Sequence, residues 1–234
     1  MRRPTRIMLD PAHGGSDAGL QRRGVQEKDV TARVVARIQD ELNKAYDVEA
    51  RVTRVGDEPM RAEERVECAQ EWNADCLVSV HVTSDSAQTH GSFIHPGSGR
   101  VNRFLQQYLN QGMTEALDQE VEAGETESDI LSLALMPAIL TISPVSVKEN
   151  ESVCIERVVQ AHVRGLVQAY NLQRATRTID PPGQPVACQP LVYDLVINGR
   201  SLGAFAEEEG LLQQIQGHIG WATTIQLERV RTHG

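Results

Sequence analysis

Ile7-Met8-Leu9-Asp10-Pro11-Ala12-His13-Gly14-Gly15-Ser16-Asp17-Ala18-Gly19 is the stretch from which the fold can be worked out. A continuously apolar run stops at a proline, a histidine and two glycines, so a buried strand ends abruptly in an open loop. Gly14, Gly15 and Gly19 let that backbone turn with φ > 0 and leave His13 uncrowded at the strand's C-terminal edge. In α/β sheets, that edge is where ligands and metals gather.

Two further residues are placed to meet His13. Glu27 opens a helical pattern in Gly24-Val25-Gln26-Glu27-Lys28-Asp29-Val30, and His81 closes an apolar strand in Cys76-Leu77-Val78-Ser79-Val80-His81. Singly, each has a plain structural explanation. A strand-end histidine is more often a hydrogen-bonded rim residue, and a glutamate at a helix start is favoured by the macrodipole. Together, two imidazoles and a carboxylate on the rims of regular elements form a usual catalytic zinc set, with a fourth position left to water.

The rest of the chain supplies the scaffold. Val30, Val34, Ile38 and Leu42, at intervals of four, predict a helix over 27–45, between strands at 5–10 and 48–54. A second helix after Pro59, running to about Trp72, and a third strand over 76–82 complete a β-α-β-α-β order, which implies parallel pairing. Strands are then expected at 91–95, 130–135 and 138–143, helices at 100–117 and 149–170, and a solvated acidic loop at 118–127. The fold class is α/β: a mostly parallel twisted sheet of about six strands with helices on both faces, plus a small C-terminal α+β module. Three parts are expected: a domain over 1–172, a Pro-rich linker over 173–190 and a small ββαβ attachment module over 191–234. The linker rests on Pro181-Pro182-Gly183-Gln184-Pro185 and the module's hairpin on Asn198-Gly199.

Composition removes several function classes. The net charge of −9 argues against nucleic acid and anionic membranes as partners. No apolar segment approaches the roughly 18 residues of a membrane span. No apolar h-region precedes the first strand, so synthesis in the cytoplasm without a signal peptide is expected. Cys68, Cys76, Cys154 and Cys188 show no paired spacing, and small buried hydrophobes are expected rather than a knuckle or redox pair.

Asp10-Pro11-Ala12-His13-Gly14-Gly15-Ser16-Asp17, Glu27-Lys28-Asp29-Val30 and Ser79-Val80-His81 resemble, in that order, the zinc-dependent N-acetylmuramoyl-L-alanine amidases. The match continues through Arg51-Val52-Thr53-Arg54, Arg61-Ala62-Glu63-Glu64-Arg65 and Met136-Pro137-Ala138-Ile139-Leu140, over residues 4–171. The resemblance implies Zn²⁺ held by His13, Glu27 and His81, and peptidoglycan as the partner. The implied reaction is hydrolysis of the amide between N-acetylmuramic acid and L-alanine. An enzyme on peptidoglycan without an export signal is expected to act at the cell wall after lysis, as an endolysin, or as a virion-associated protein, and residues 191–234 are expected to attach it to the wall or to a protein partner.

One position departs from the family in a way that touches chemistry. The family's general base is a glutamate near the end of the strand after Met-Pro-Ala, and Ile142 stands there. Isoleucine moves no proton, and losing a positioned acid–base costs about 10²–10⁴ in rate. Ala12 replaces a glycine, and Val82-Thr83 replaces a small residue followed by Asn or Asp, which removes a polar group for orienting a ligand. Glu127, Asp129, Glu149 and Glu151 are the substitute carboxylates to weigh, each explained equally well as a helix-start or loop acid. The catalytic residue therefore stays unassigned. The readings are a lysin-like peptidoglycan hydrolase and, as the alternative, an impaired amidase-fold structural or binding protein such as a phage tail component. A zinc peptidase or amidase on another substrate is a third. His90, His95, His162, His218 and His233 receive no role.

Overall fold

A computed structural model describes residues 3–22, 24–83, 90–118, 120–145, 151–175, 192–205, 213–216 and 224–230. The opening apolar run forms strand β1 (Thr5–Pro11), with Ile7 and Leu9 fully buried. Two short antiparallel strands, β2 (Gln21–Arg22) and β3 (Val25–Gln26), lead into helix α1 (Glu27–Ala45), whose Val30, Val34, Ile38 and Leu42 face the core as their spacing requires. Then come β4 (Val48–Val52), α2 (Ala62–Glu71), β5 (Cys76–Thr83), β6 (Gly91–Ile94) and α3 (Arg100–Leu117). The first unit closes with β7 (Glu122–Glu125), α4 (Asp129–Ser132), β8 (Ala138–Pro144) and α5 (Glu151–Tyr170).

The sheet runs β4-β1-β5-β8-β6-β7, parallel throughout except where β6 meets β8. Side chains alternate across it. Ile7, Leu9, Val78, Val80 and Ile139 pack with α1, α3 and α5 on one face, while Met8, Leu77 and Ala138 pack with α2 and α4 on the other. This is the α/β architecture with helices on both faces, and it explains why Ile7-Met8-Leu9 of β1 and Cys76-Leu77-Val78 of β5 are continuously apolar.

Two segments differ from expectation. Residues 130–135 do not make a strand: Ile130 and Leu131 are adjacent and both buried, which a short helical turn on α2 satisfies and strand alternation does not. The acidic stretch holds an edge strand, β7, where only a loop is expected. Neighbours impose it: the Gln106 side-chain amide donates to the Gly124 carbonyl and that of Asn110 to the Glu122 carbonyl, while β6 pairs alongside. Its exposed glutamates keep that edge from pairing further.

Cys76 and Cys154 are buried thiols, and burial pushes Cys76 up to about 12. Cys68 corrects the cysteine expectation. It is disulfide-bonded, and tertiary approach rather than sequence spacing decides such pairing. Cys188 lies outside the described residues.

Residues Met1–Cys188 and Gln189–Gly234 form two compact units. The chain leaving α5 still pairs with the first unit at 174–175, where Arg174 bridges Tyr46 and the Ala175 amide donates to the Ala45 carbonyl. The expected linker beyond Ala175 lies outside the described residues. In the second unit, β9 (Val192–Ile197) pairs antiparallel with β10 (Arg200–Phe205) and β11 (Ile225–Val230). Asn198 (φ 50°) and Gly199 (φ 78°) make the two-residue turn, both with the positive φ that such a hairpin demands. Of the module's expected helix, residues 213–216 are helical and the rest lies outside the described residues. No helix among the described residues is long and apolar enough to cross a membrane.

Candidate metal centre

β1 and β5 are parallel neighbours with Pro11 opposite Val80, so His13, just past β1, and His81, near the end of β5, reach one edge of the sheet. Glu27 arrives from α1. The start of that helix is fixed by the loop before it: the free amides of Glu27 and Lys28 donate to the carbonyls of Leu20 and Ala18. The three side chains expected to meet do meet, with one ligand atom from each lying within 4.8 Å of the others.

His13 Nε2 stands 3.1 Å from Glu27 Oε2, and His81 Nδ1 stands 3.2 Å from Glu27 Oε1. The imidazole rings are perpendicular, with centroids 5.1 Å apart. Each Glu27 oxygen also accepts a backbone amide: Leu20 donates to Oε2 (2.9 Å) and Val82 to Oε1 (3.1 Å). Val82 thus serves through its backbone, which any residue supplies. On the far side of His13, Nδ1 lies 2.8 Å from Asp17 Oδ2, and the Gly19 amide donates to the other Asp17 oxygen. A carboxylate only accepts, so the proton sits on Nδ1 and the Nε2 lone pair is presented to the cluster.

Burial works against charge on Glu27, but the two imidazoles and the Leu20 amide outweigh it and hold the carboxyl well below its ordinary range. Burial likewise opposes protonation of His13, and Glu27 with Asp17 outweighs it, raising His13 above its usual value.

The residues fit a zinc ion. Tetrahedral ligands at about 2.0–2.1 Å from zinc stand roughly 3.3 Å apart, near two of the donor separations seen here. His13 Nε2 is buried and, close as Glu27 is, is not aligned to hydrogen-bond with it, leaving a lone pair with no hydrogen-bond partner. The cleft is also kept clear by Gly19 (φ 62°), where a Cβ would come within 2.5 Å of the His13 ring and 2.8 Å of the Glu27 carboxylate.

Beneath the cluster lies a buried polar layer whose roles a sequence reading misses. Asp10 accepts from Thr53 Oγ1 (2.6 Å), Ser79 Oγ (2.7 Å) and Arg65 Nη1 (2.5 Å). Burial opposes its ionisation, but Arg65 and the two hydroxyls outweigh it and keep the carboxyl below its usual range. Arg54 and Arg65 both donate to the His13 carbonyl. The available signal is chemical: buried arginines need acceptors, and Arg54 and Arg65 stand in the stretches that carry the resemblance.

Position 142, where the resemblance implies a proton acceptor, holds isoleucine. Ile142 pairs with His81 in the β5–β8 register, so its side chain lies on the same face of the sheet beside that imidazole. Glu127 and Asp129 lie at the opposite edge. β7 runs with β6, against β8, and Asp129 opens the turn that precedes the start of β8. Glu149 and the side chain of Glu151 lie outside the described residues. His162 is a core residue: its Nδ1–H donates to the Val158 carbonyl (2.8 Å), so Nε2 accepts from Thr141 Oγ1 (2.9 Å).

Comparison with known proteins adds sequence kinship to this geometry. The pattern of the N-acetylmuramoyl-L-alanine amidase family matches residues 7–162. A sporulation-specific N-acetylmuramoyl-L-alanine amidase of Bacillus subtilis (strain 168) is 31% identical over 179 residues, covering 73% of this chain and 70% of the relative. An endolysin of Bacillus phage SPP1 is 24% identical over 182 residues, covering 72% of this chain and 67% of its own. The crystal structure of an N-acetylmuramoyl-L-alanine amidase from Clostridium difficile 630 shares the fold, with a TM-score of 0.65 at 20% identity over 73% of this chain and 98% of that one. The chain belongs to the N-acetylmuramoyl-L-alanine amidase family.

Proposed function

We propose that the chain binds Zn²⁺ through His13, Glu27 and His81 and hydrolyses the amide between N-acetylmuramic acid and L-alanine in peptidoglycan, acting at the cell wall in the manner of a lysin. The observation that carries this reading is the convergence of those three side chains at one sheet edge within 4.8 Å. Kinship with a sporulation amidase and a phage endolysin supports the substrate and the place of action.

When bound, zinc supplies Lewis acidity and draws the pKa of water toward neutrality. The protein's part is orientation. Asp17 holds His13 in the tautomer that offers Nε2, and the Leu20 and Val82 amides fix both oxygens of Glu27. The partly exposed imidazoles leave the cluster open to a ligand.

Ile142 favours a second reading, a metal-binding amidase scaffold of low turnover that serves as a structural or binding protein. The side chain beside His81 can neither take a proton nor return it to the leaving amine. In both readings the second unit is an attachment module, for the wall or for a protein partner. Digestion of purified peptidoglycan, scored for newly freed N-terminal L-alanine against a His81→Ala control, tests the first reading. Release above the control supports it; stoichiometric zinc with no release leaves the second.

A further inference from the structure

We propose that Arg54 and Arg65 are positioning residues for the metal centre, clamping the carbonyl of His13 so that its backbone stays left-handed and its imidazole stays aimed at Glu27 and His81. This rests on reading the cluster as a metal site.

His13 has φ 64°, a conformation that is strained for a non-glycine residue and persists only when its surroundings impose it. Two guanidinium groups impose it here. Arg65 Nη2 donates to the His13 carbonyl at 2.7 Å and Arg54 Nε to the same oxygen at 3.0 Å. The clamp extends along the loop: Arg65 Nη1 donates to the Pro11 carbonyl (2.9 Å) and Arg54 Nη2 to that of Ala12 (3.1 Å). Arg54 Nη2 also donates to the Lys28 carbonyl (3.1 Å), one residue beyond Glu27. A single planar group therefore ties the strand end carrying one imidazole to the helix turn carrying the carboxylate.

The charges make a purely stabilising role a poor account. Both arginines are nearly inaccessible to water, and they face each other's charge: burial and Arg65 together hold the Arg54 guanidinium below its ordinary pKa. Asp10, bonded to Arg65, is the carboxylate buried in this layer. Buried ionic groups are frequently less stabilising than apolar residues of equal volume, so such a cluster answers better to geometry than to stability. Lysine cannot replace it, because an ammonium is a compact donor and these contacts need a flat fork reaching several carbonyls at once.

The test measures zinc affinity of the metal-free full chain by chelator competition and records the visible absorption of the Co²⁺-loaded protein. Wild type is compared with Arg54→Lys, Arg65→Lys, Thr53→Val and His81→Ala. Arg54→Lys is expected to weaken zinc binding about 10–100-fold, as loss of a ligand-orienting group does, and to change the Co²⁺ bands while near-ultraviolet circular dichroism shows the fold retained. Thr53→Val removes a hydrogen bond from Asp10 in the same layer without touching the His13 carbonyl. It is expected to lower the melting temperature and leave zinc affinity within about twofold. The proposal is overturned if both lysine variants bind zinc like wild type, if neither folds, or if Thr53→Val loses affinity in step with them. Wild type binding no tighter than His81→Ala is a separate result: it removes the metal-site reading itself.

Discussion

At position 142 the identity of one side chain separates two functions. Ile142→Glu would put a carboxylate beside His81 on the same face of the sheet. If the scaffold is otherwise competent, release of N-terminal L-alanine from peptidoglycan should rise by about 10²–10⁴, the usual worth of a positioned acid–base. An unchanged rate in a folded, zinc-loaded variant would show that the defect lies elsewhere. Gly19 governs space rather than protons. Alanine there meets both a positive φ and the His13 ring, so Gly19→Ala should lower stability by about 1–3 kcal/mol in denaturant titration and weaken zinc binding. These positions were unequally legible. His13, Glu27 and His81 announce themselves because a strand or helix end places each beside a chemical need. Asp17 and the two arginines do not, since their targets are a ring nitrogen and carbonyls that approach only in the folded chain.

Between elements, packing reverses what propensity suggests. Helices α3 and α5 approach at two glycines: a Cβ on Gly165 would stand 2.8 Å from Leu109 Cα and 2.9 Å from the Tyr108 carbonyl, and one on Gly112 would stand 2.9 Å from the Gly165 amide nitrogen. Alanine is favoured over glycine inside a helix by about 1 kcal/mol, but the contact is with backbone, which cannot step aside. Gly165→Ala is therefore expected to destabilise, by about 1–3 kcal/mol, and to lower the melting temperature accordingly. His162, on α5 and hydrogen-bonded to Thr141 of β8, gives the core a pH dependence. Burial lowers its pKa, so the folded state resists a proton that the unfolded chain accepts below about pH 6.5. Stability should thus fall as pH drops below that value, by up to about 1.4 kcal/mol per pH unit from this group. His162→Gln should show a shallower decline between pH 6.5 and 5 in denaturant titrations. The buried face of α1 was readable from its interval of four, whereas the glycine contact between α3 and α5, the turn α4 and the strand β7 were not. An apolar pair does not show in sequence that both its residues are buried on one side, and a glutamate-rich strand owes its existence to the neighbour it pairs with.

For the molecule as a whole, two compact units mean that metal binding and attachment should separate. A chain of residues 1–188 contains every member of the cluster and of the polar layer beneath it. It should bind zinc with wild-type affinity yet lose co-sedimentation with insoluble peptidoglycan if the second unit is the anchor; retained sedimentation would move that role to the first unit. Hydrophobic period and strand-ending residues are local properties of the chain, and from them alone follow the α/β class, the order of the elements around the centre and the three side chains that meet there. Folding adds that Ile142 sits beside His81, that Glu127 and Asp129 are carried to the opposite edge, and that two arginines grip the loop of His13. Those facts depend on strand register, strand direction and the burial of charge, and each arises from residues far apart in the chain that meet only when the sheet is assembled.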